Sequence, residues 1–135
     1  MSLHLIKLCV GVDTVEDLER WVKSRSRGKT HGHVTRQTPK RATELLDGGS
    51  LYWVIKGVVQ CRQDILGLEP AVKDGVPSCR IVLTPDITRT APMLRRPFQG
   101  WRYLEAKDAP SDITLGKGGN LPLSLQKQLI ELGAW

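Results

Sequence analysis

The sequence predicts an α+β fold: a small, mostly antiparallel sheet or barrel with a few flanking helices. Three observations favour this class. Apolar residues occur mainly in short runs typical of strands. Glycine and proline turns separate these runs at short intervals, and helical spacing is confined to three segments, mostly near the ends. At 135 residues the chain predicts a single domain, residues 1–135, that needs no disulfide or metal to fold.

The first two elements are a strand and a capped helix. Residues 3–10 form a short apolar run, as a strand requires. Asp13 or Thr14 then caps a helix, and Asp17 follows at the spacing that satisfies two N–H groups reciprocally. We expect Trp21 in the core because it lies on the apolar side of this helix. That side consists of Val15, Leu18, Trp21 and Val22.

A basic loop and a short strand come next. Residues 24–32 carry no apolar side chain and predict a mobile loop, and residues 33–37 predict a strand. His31 and His33 form an H-x-H pair, which on a strand places two imidazoles on one face and can bind a metal. Because no acidic residue or cysteine lies within ten residues of the pair, we favour a plain basic loop and predict no metal site.

The centre of the chain is predicted to be a helix, a glycine turn and a buried strand. Thr38 can cap a helix that begins at Pro39 and ends at Gly48, since proline suits the first helical position. Its apolar side consists of Ala42, Leu45 and Leu46. Residues 51–56 form a run without a breaker, as in a strand buried on much of both faces. Lys56 in this run either reaches water at a rim or holds an anion.

The second half of the chain predicts further strands and a final helix. Residues 58–68 form either one bent strand or two shorter ones, and residues 78–84 alternate cleanly. Residues 88–97 contain two prolines and predict an edge strand or an extended loop. An aromatic cluster follows at residues 98–104. Residues 122–132 predict a helix with a leucine seam.

The basic residues are segregated along the chain. The net charge is +6, yet residues 20–41 hold eight basic residues and no acidic one. Residues 87–104 form a second window without acidic residues and contain four arginines. Such segregation creates a local positive field that attracts anionic partners. The alternative is a solvated basic loop without a partner.

Recognisable catalytic signatures are missing from the sequence. It contains no G-x-S-x-G, no H-E-x-x-H and no Walker loop. The sequence therefore makes no prediction about enzymatic activity and names no cofactor. Cys9, Cys61 and Cys79 are predicted as core thiols. With no apolar run long enough to span a membrane and no signal-like start, we expect a cytoplasmic protein without a membrane partner.

Aromatic and basic residues are interleaved in a way that suits nucleic acid. Bases stack on aromatic rings for about 1 to 3 kcal/mol each, and arginine binds phosphate bidentately. We expect the basic side chains to meet phosphates and Trp101 or Tyr52 to stack a base, although such rings also fill cores. The candidate binding residues are Arg36, Lys40, Arg41, Tyr52, Lys56, Arg96, Gln99, Trp101 and Arg102.

Two family resemblances bear on this hypothesis. The segments PKRATELLDGGSLYWVIKGVVQCRQ and RRPFQGWRYLEAKDAP, with the opening HLIKLCVGV, resemble an alphaproteobacterial family catalogued as domain of unknown function 1489. The likeness covers nearly the whole chain and implies no catalytic residues. In the order of helix, glycine turn and strand, the chain is also similar to the PUA, ASCH and EVE group of small barrels. That likeness implies a barrel that binds RNA or modified bases.

The leading hypothesis is a PUA-like domain that binds nucleic acid, with RNA favoured, or another polyanion. One alternative is a small enzyme that acts on a nucleotide or nucleic acid in the same cleft. Another is a protein-interaction module whose basic loop docks an acidic protein. The sequence makes no prediction about oligomeric state.

Overall fold

The structure, a computed structural model, describes residues 3–9, 11–26, 30–96, 98 and 100–113. Its helices are α1 (Val15–Ser26) and α2 (Ala42–Leu46), with a 3-10 turn at Ala106–Asp108. Its strands are β1 (Leu3–Leu8), β2 (His31–Thr35), β3 (Ser50–Ile55), β4 (Val58–Lys73), β5 (Val76–Leu83), β6 (Thr88–Leu94) and β7 (Trp101–Glu105). The predicted α+β class is confirmed.

The seven strands form one mixed sheet. Their order is β2-β5-β4-β3-β1-β7, and β6 pairs with β4 beside this path. The β1–β3 pair is parallel and the other pairs are antiparallel, so the predicted mostly antiparallel sheet is confirmed. Residues 58–68, ambiguous in sequence, belong to one strand that runs on to Lys73 and shifts register at bulges.

The barrel expected as an alternative is not formed by the described residues. A barrel closes when its first and last strands pair, whereas β2 and β7 end the path without pairing with each other. Instead, side chains of β7 form hydrogen bonds with the segment between β2 and α2. Trp101 Nε1 donates to the Gln37 carbonyl at 2.8 Å, and the Tyr103 hydroxyl accepts the backbone N–H groups of Lys40 and Arg41.

The core lies on both faces of β1 and β3. Leu51, Trp53 and Ile55 pack in a large cluster with α1, α2 and residues of β4 and β5. The alternate residues Tyr52 and Val54 join a smaller cluster on the opposite face. The strand predicted to be buried on both faces is therefore confirmed.

A buried glutamine ties this core together. Gln63 has no exposed surface, accepts a hydrogen bond from Trp53 Nε1 at 2.8 Å and donates one to the Thr84 carbonyl at 2.8 Å. Gln63 thus links the end of β5 to the middle of β3. Without it, both partners would lose a hydrogen bond. Two of the three cysteines, Cys61 and Cys79, are also buried, and all three are free thiols.

Helix α1 differs from its prediction at its second half. Its cap is confirmed, since the Thr14 hydroxyl accepts the Asp17 N–H at 3.1 Å. The helix continues to Ser26 and β2 begins at His31, so the predicted loop is shorter than expected. The expectation that Trp21 is in the core was wrong, because its side chain is 42% exposed. Its ring packs edge-on against His31 and beneath the Arg25 guanidinium instead.

Helix α2 is shorter than predicted and starts later. It covers Ala42–Leu46 with Arg41 at its N-cap, rather than residues 39–48 capped by Thr38. The Tyr103 hydroxyl accepts the Lys40 and Arg41 N–H groups, which the predicted Thr38 cap would otherwise have bound. Leu45 is fully buried whereas Leu46 is exposed, so the apolar side is narrower than expected.

Two predictions fall outside the described residues: the final helix at residues 122–132, and Gln99. In the described part of the chain, no helix is long and apolar enough to cross a membrane.

Candidate nucleic-acid-binding site

An open groove lies at β7, the strand that ends the sheet path. Its volume is about 580 Å³. We call it the arginine groove, and it is lined by Leu94, Arg95, Arg96, Phe98, Arg102 and Tyr103. None of these described lining residues is acidic, so the groove concentrates positive charge next to aromatic surface.

Two guanidinium groups lie close to the Phe98 ring. The Cζ atoms of Arg95 and Arg102 lie 6.0 and 5.7 Å from the ring centroid, within cation–π range. The Arg95 backbone N–H donates to the Gly57 carbonyl at 2.9 Å, which fixes this side of the groove to the β3–β4 turn. Within the described residues, Arg95 and Arg96 form no ion pair.

Tyr103 connects the groove to the start of α2. Its hydroxyl oxygen lies 3.0 Å from the Lys40 nitrogen and 3.2 Å from the Arg41 nitrogen. The Arg41 guanidinium lies over the Tyr103 ring at 5.5 Å and pairs with Glu44. Lys40 and Arg41 are exposed, so they extend the positive surface beyond the groove.

The aromatic residues expected to stack a base are both buried. Trp101 is 6% exposed and its indole N–H is bonded to the Gln37 carbonyl, while Tyr52 is 4% exposed. Neither ring offers a face to a base in this structure, because each is needed to fill the core. Phe98 and Tyr103, which belong to the aromatic cluster seen in sequence, are the two described rings that line the groove.

The remaining predicted residues divide between the groove and other surfaces. Arg96 and Arg102 line the groove, and Lys40 and Arg41 adjoin it. Arg36 is exposed elsewhere and lies 3.7 Å from Asp74. Lys56 occupies the β3–β4 turn with a φ of 52° and pairs with Asp13 at 3.2 Å. The rim interpretation of Lys56 is therefore confirmed, and that side chain is not part of the groove.

A second depression lies on the sheet near the 3-10 turn. It has a volume of about 320 Å³ and its wall is mostly polar. We call it the polar cleft. Its polar side chains are His4, Ser50, Tyr52, Arg62, Asp64, Ser111 and Asp112, and Gly48, Ala106, Ala109 and Pro110 complete the wall.

Arg62 organises the polar cleft. Its Nε and Nη2 atoms donate to the two carboxylate oxygens of Asp112 at 2.7 Å each. Its Nη1 atom donates to Ser50 Oγ at 2.9 Å and also pairs with Asp64. The hydrogen bond from Arg62 lowers the pKa of Asp112, and the same bond raises the pKa of Arg62. This network fastens the segment after the 3-10 turn to β4.

Two buried rings complete the polar cleft. The Ser50 backbone N–H donates to His4 Nδ1 at 3.0 Å, so the neutral imidazole carries its proton on Nε2. Burial lowers the pKa of His4, which favours this neutral form. The His4 and Tyr52 rings meet edge to face at 5.1 Å, and burial raises the pKa of Tyr52.

With the geometry of both surfaces established, comparison with known proteins gives one result. A family model matches residues 5–135. The chain belongs to that family, "Protein of unknown function (DUF1489)". The resemblance seen in the sequence is thus confirmed for DUF1489, whereas the likeness to PUA, ASCH and EVE domains stays a prediction. No curated protein and no solved structure gives a significant match.

In this DUF1489 chain the H-x-H pair lies inside the fold rather than in a loop. The His31 and His33 rings pack edge-on against Trp21 and Trp53. Both nitrogens of His31, and Nε2 of His33, are buried without a hydrogen-bond partner. No group of three or more metal-ligating side chains occurs among the residues that the structure describes.

The polar cleft was not found by sequence reasoning. Its members come from β1, β3, β4 and the segment after β7, so no local spacing relates them. The available signal was Arg62 and Asp64 within a run otherwise suited to a buried strand. Charged groups in such a run need partners, and the sequence does not show that Asp112 supplies one.

Proposed function

We propose that this DUF1489 domain binds single-stranded nucleic acid, RNA in preference, in the cytoplasm, and that the arginine groove is the contact surface. One observation carries the proposal: the Arg95 and Arg102 guanidinium groups lie within cation–π range of the Phe98 ring, in an open groove whose described lining contains no carboxylate. Phosphates need cationic donors and unpaired bases need an aromatic face, and the groove offers both.

The division of roles follows from exposure and geometry. Arg95, Arg96 and Arg102 contact successive phosphates, and Phe98 stacks one base. Lys40 and Arg41 continue the path of the strand because Tyr103 holds them beside the groove. A duplex keeps its bases stacked on one another, so it gains the phosphate contacts but not the contact with Phe98.

The test is binding of labelled single-stranded RNA, duplex RNA and single-stranded DNA, measured by fluorescence anisotropy. The double variant Arg95→Glu/Arg96→Glu should weaken RNA binding at least about tenfold, because two phosphate contacts become repulsive. The control is Arg20→Glu/Lys23→Glu on α1, which makes the same change in net charge. Helix α1 packs on the opposite face of β1 and β3 from Phe98, so this control should lose much less affinity.

The contribution of stacking is measured with Phe98→Ala. We expect a loss of about 1 to 3 kcal/mol for single strands and little change for duplexes. If Phe98→Ala has no effect while charge reversal abolishes binding, the groove is a general polyanion site, as for an acidic protein. If no nucleic acid binds at low salt, the proposed function is wrong.

A further inference from the structure

The polar cleft contains two hydrogen-bond donors that the protein does not use. His4 carries its proton on Nε2, and Tyr52 carries a hydroxyl; neither group bonds to another described residue. Both residues are at least nine-tenths buried, and both line the cleft. His4 Nε2 and the Tyr52 hydroxyl are not among the buried polar atoms without a partner, so both donors face the cleft and can bond to a ligand there.

Acceptors lie in the same cleft. Asp64 Oδ1 accepts hydrogen bonds from Ser50 and Arg62, whereas Oδ2 has no partner among the described residues. Each Asp112 oxygen accepts one bond from Arg62 and retains a second acceptor site. A ligand here would therefore meet donors from His4 and Tyr52 and acceptors from the two carboxylates.

The charge of the cleft argues against an anionic ligand. Arg62 is matched by two carboxylates, and His4 is neutral, so the formal charge is negative. Arg62 uses four of its five N–H donors on Asp112, Ser50 and Asp64. A phosphate would have to displace these carboxylates, which makes an uncharged ligand the better fit.

The cleft lies close to the arginine groove on the same face of the sheet. On β1, His4 pairs with Leu104 and Ile6 pairs with Arg102. Side chains of paired residues share a face, so His4 lies two residues along the strand from the Ile6–Arg102 pair, about 7 Å. A nucleic-acid strand whose phosphates occupy the arginine groove can therefore place a neighbouring base in the polar cleft.

We propose that the polar cleft binds the hydrogen-bonding edge of an uncharged nucleobase. Nucleobases present donors and acceptors side by side, which matches the arrangement of His4, Tyr52, Asp64 and Asp112. The inference rests on the proposed function in one respect: the base belongs to a nucleic-acid strand that is held in the arginine groove. Free nucleosides, which lack phosphate, test the cleft by itself.

The experiment is an NMR titration of the wild-type protein with adenosine, guanosine, cytidine and uridine, each up to about 10 mM, a range that detects weak binding. We expect saturable shifts of the His4 ring signals and the Ser50 amide for at least one nucleoside. Inorganic phosphate should instead shift the amides of Arg95 and Arg96. No saturable shift at His4 or Ser50 with any nucleoside would overturn the proposal.

Variants separate a ligand site from a merely structural network. Tyr52→Phe should weaken nucleoside binding about five- to tenfold, since one hydrogen bond is lost. Ser78→Ala removes another buried hydroxyl, which lies in β5 outside the arginine groove and the polar cleft. It should leave nucleoside affinity unchanged. Asp64→Asn alters an exposed side chain and should weaken binding even if Tyr52→Phe folds poorly. Unchanged affinity in both cleft variants would contradict the proposal.

The outcomes for the two sites are distinguishable. RNA binding that depends on the arginine groove, without nucleoside binding at His4, would refute the cleft proposal alone. Nucleoside binding at His4, without RNA binding, would refute the proposed function alone.

Discussion

Acid should destabilise this protein through His33. The His33 ring packs edge-on against Trp53 at 5.4 Å, and its Nε2 atom is buried without a partner. Burial lowers the pKa of His33 to about 4, and the positive charges of Lys7, His31 and Lys73 act in the same direction. The folded protein therefore resists placing a proton on this ring.

The sign and size of the effect follow from the two pKa values. The unfolded chain takes up the proton near the ordinary pKa of 6.5, well before the folded chain does. The stability associated with neutral His33 is complete above pH 6.5 and is lost as the pH falls towards 4. At 1.36 kcal/mol per pH unit, the loss reaches about 2 to 3 kcal/mol by pH 4.5. Burial also lowers the pKa of His31, which adds to the loss.

The assay is urea unfolding at several pH values between about 7.5 and 4.5. The wild type is compared with His33→Phe, which keeps an aromatic ring against Trp53 but cannot take up a proton. Both proteins share the same carboxylates, so the difference in their pH dependence isolates His33. We expect the free energy of unfolding of the variant to fall less with acid, by about 2 to 3 kcal/mol. Parallel curves for the two proteins would refute this reasoning.

Two further predictions concern the core. Gln63→Leu should lower the free energy of unfolding by about 2 to 4 kcal/mol, because the buried Trp53 indole N–H and the partly buried Thr84 carbonyl both lose their hydrogen bonds. Gln60→Leu, which removes one bond at a partly exposed position, should cost less than about 1.5 kcal/mol; equal losses would contradict the role given to Gln63. Leu45→Ala should cost about 2 to 5 kcal/mol and the adjacent Leu46→Ala less than about 0.5, as measured by urea unfolding. Similar values for the two leucines would show that α2 does not pack as described.

The strands were predictable where the apolar pattern is local. The buried run of β3 and the alternation of β5 depend on side chains a few residues apart, so sequence reasoning found both. The cap of α1 was found for the same reason, since Thr14 and Asp17 lie within one turn. The start of α2 was missed because Tyr103, about sixty residues away, binds the Lys40 and Arg41 N–H groups in place of the predicted Thr38 cap.

The candidate site also combines features that nearby residues predict with features that only the tertiary fold determines. The clustered arginines at residues 95–102 are a local signal, and the structure places them in one groove. Which aromatic ring is accessible is a tertiary property, so Trp101 and Tyr52 were assigned to stacking although both are buried. The polar cleft brings β1, β3 and β4 to one place through non-local pairing, which a sequence pattern cannot specify.

The central claim is that the arginine groove binds nucleic acid through its phosphates, and the salt dependence of binding tests it most directly. For single-stranded RNA, the slope of log affinity against log salt is about −0.7 per contacted phosphate. Contacts from Arg95, Arg96 and Arg102 predict a slope of about −2 or steeper, and Arg96→Glu should make it shallower by about 0.7. A slope near zero, or one that Arg96→Glu leaves unchanged, would contradict the claim.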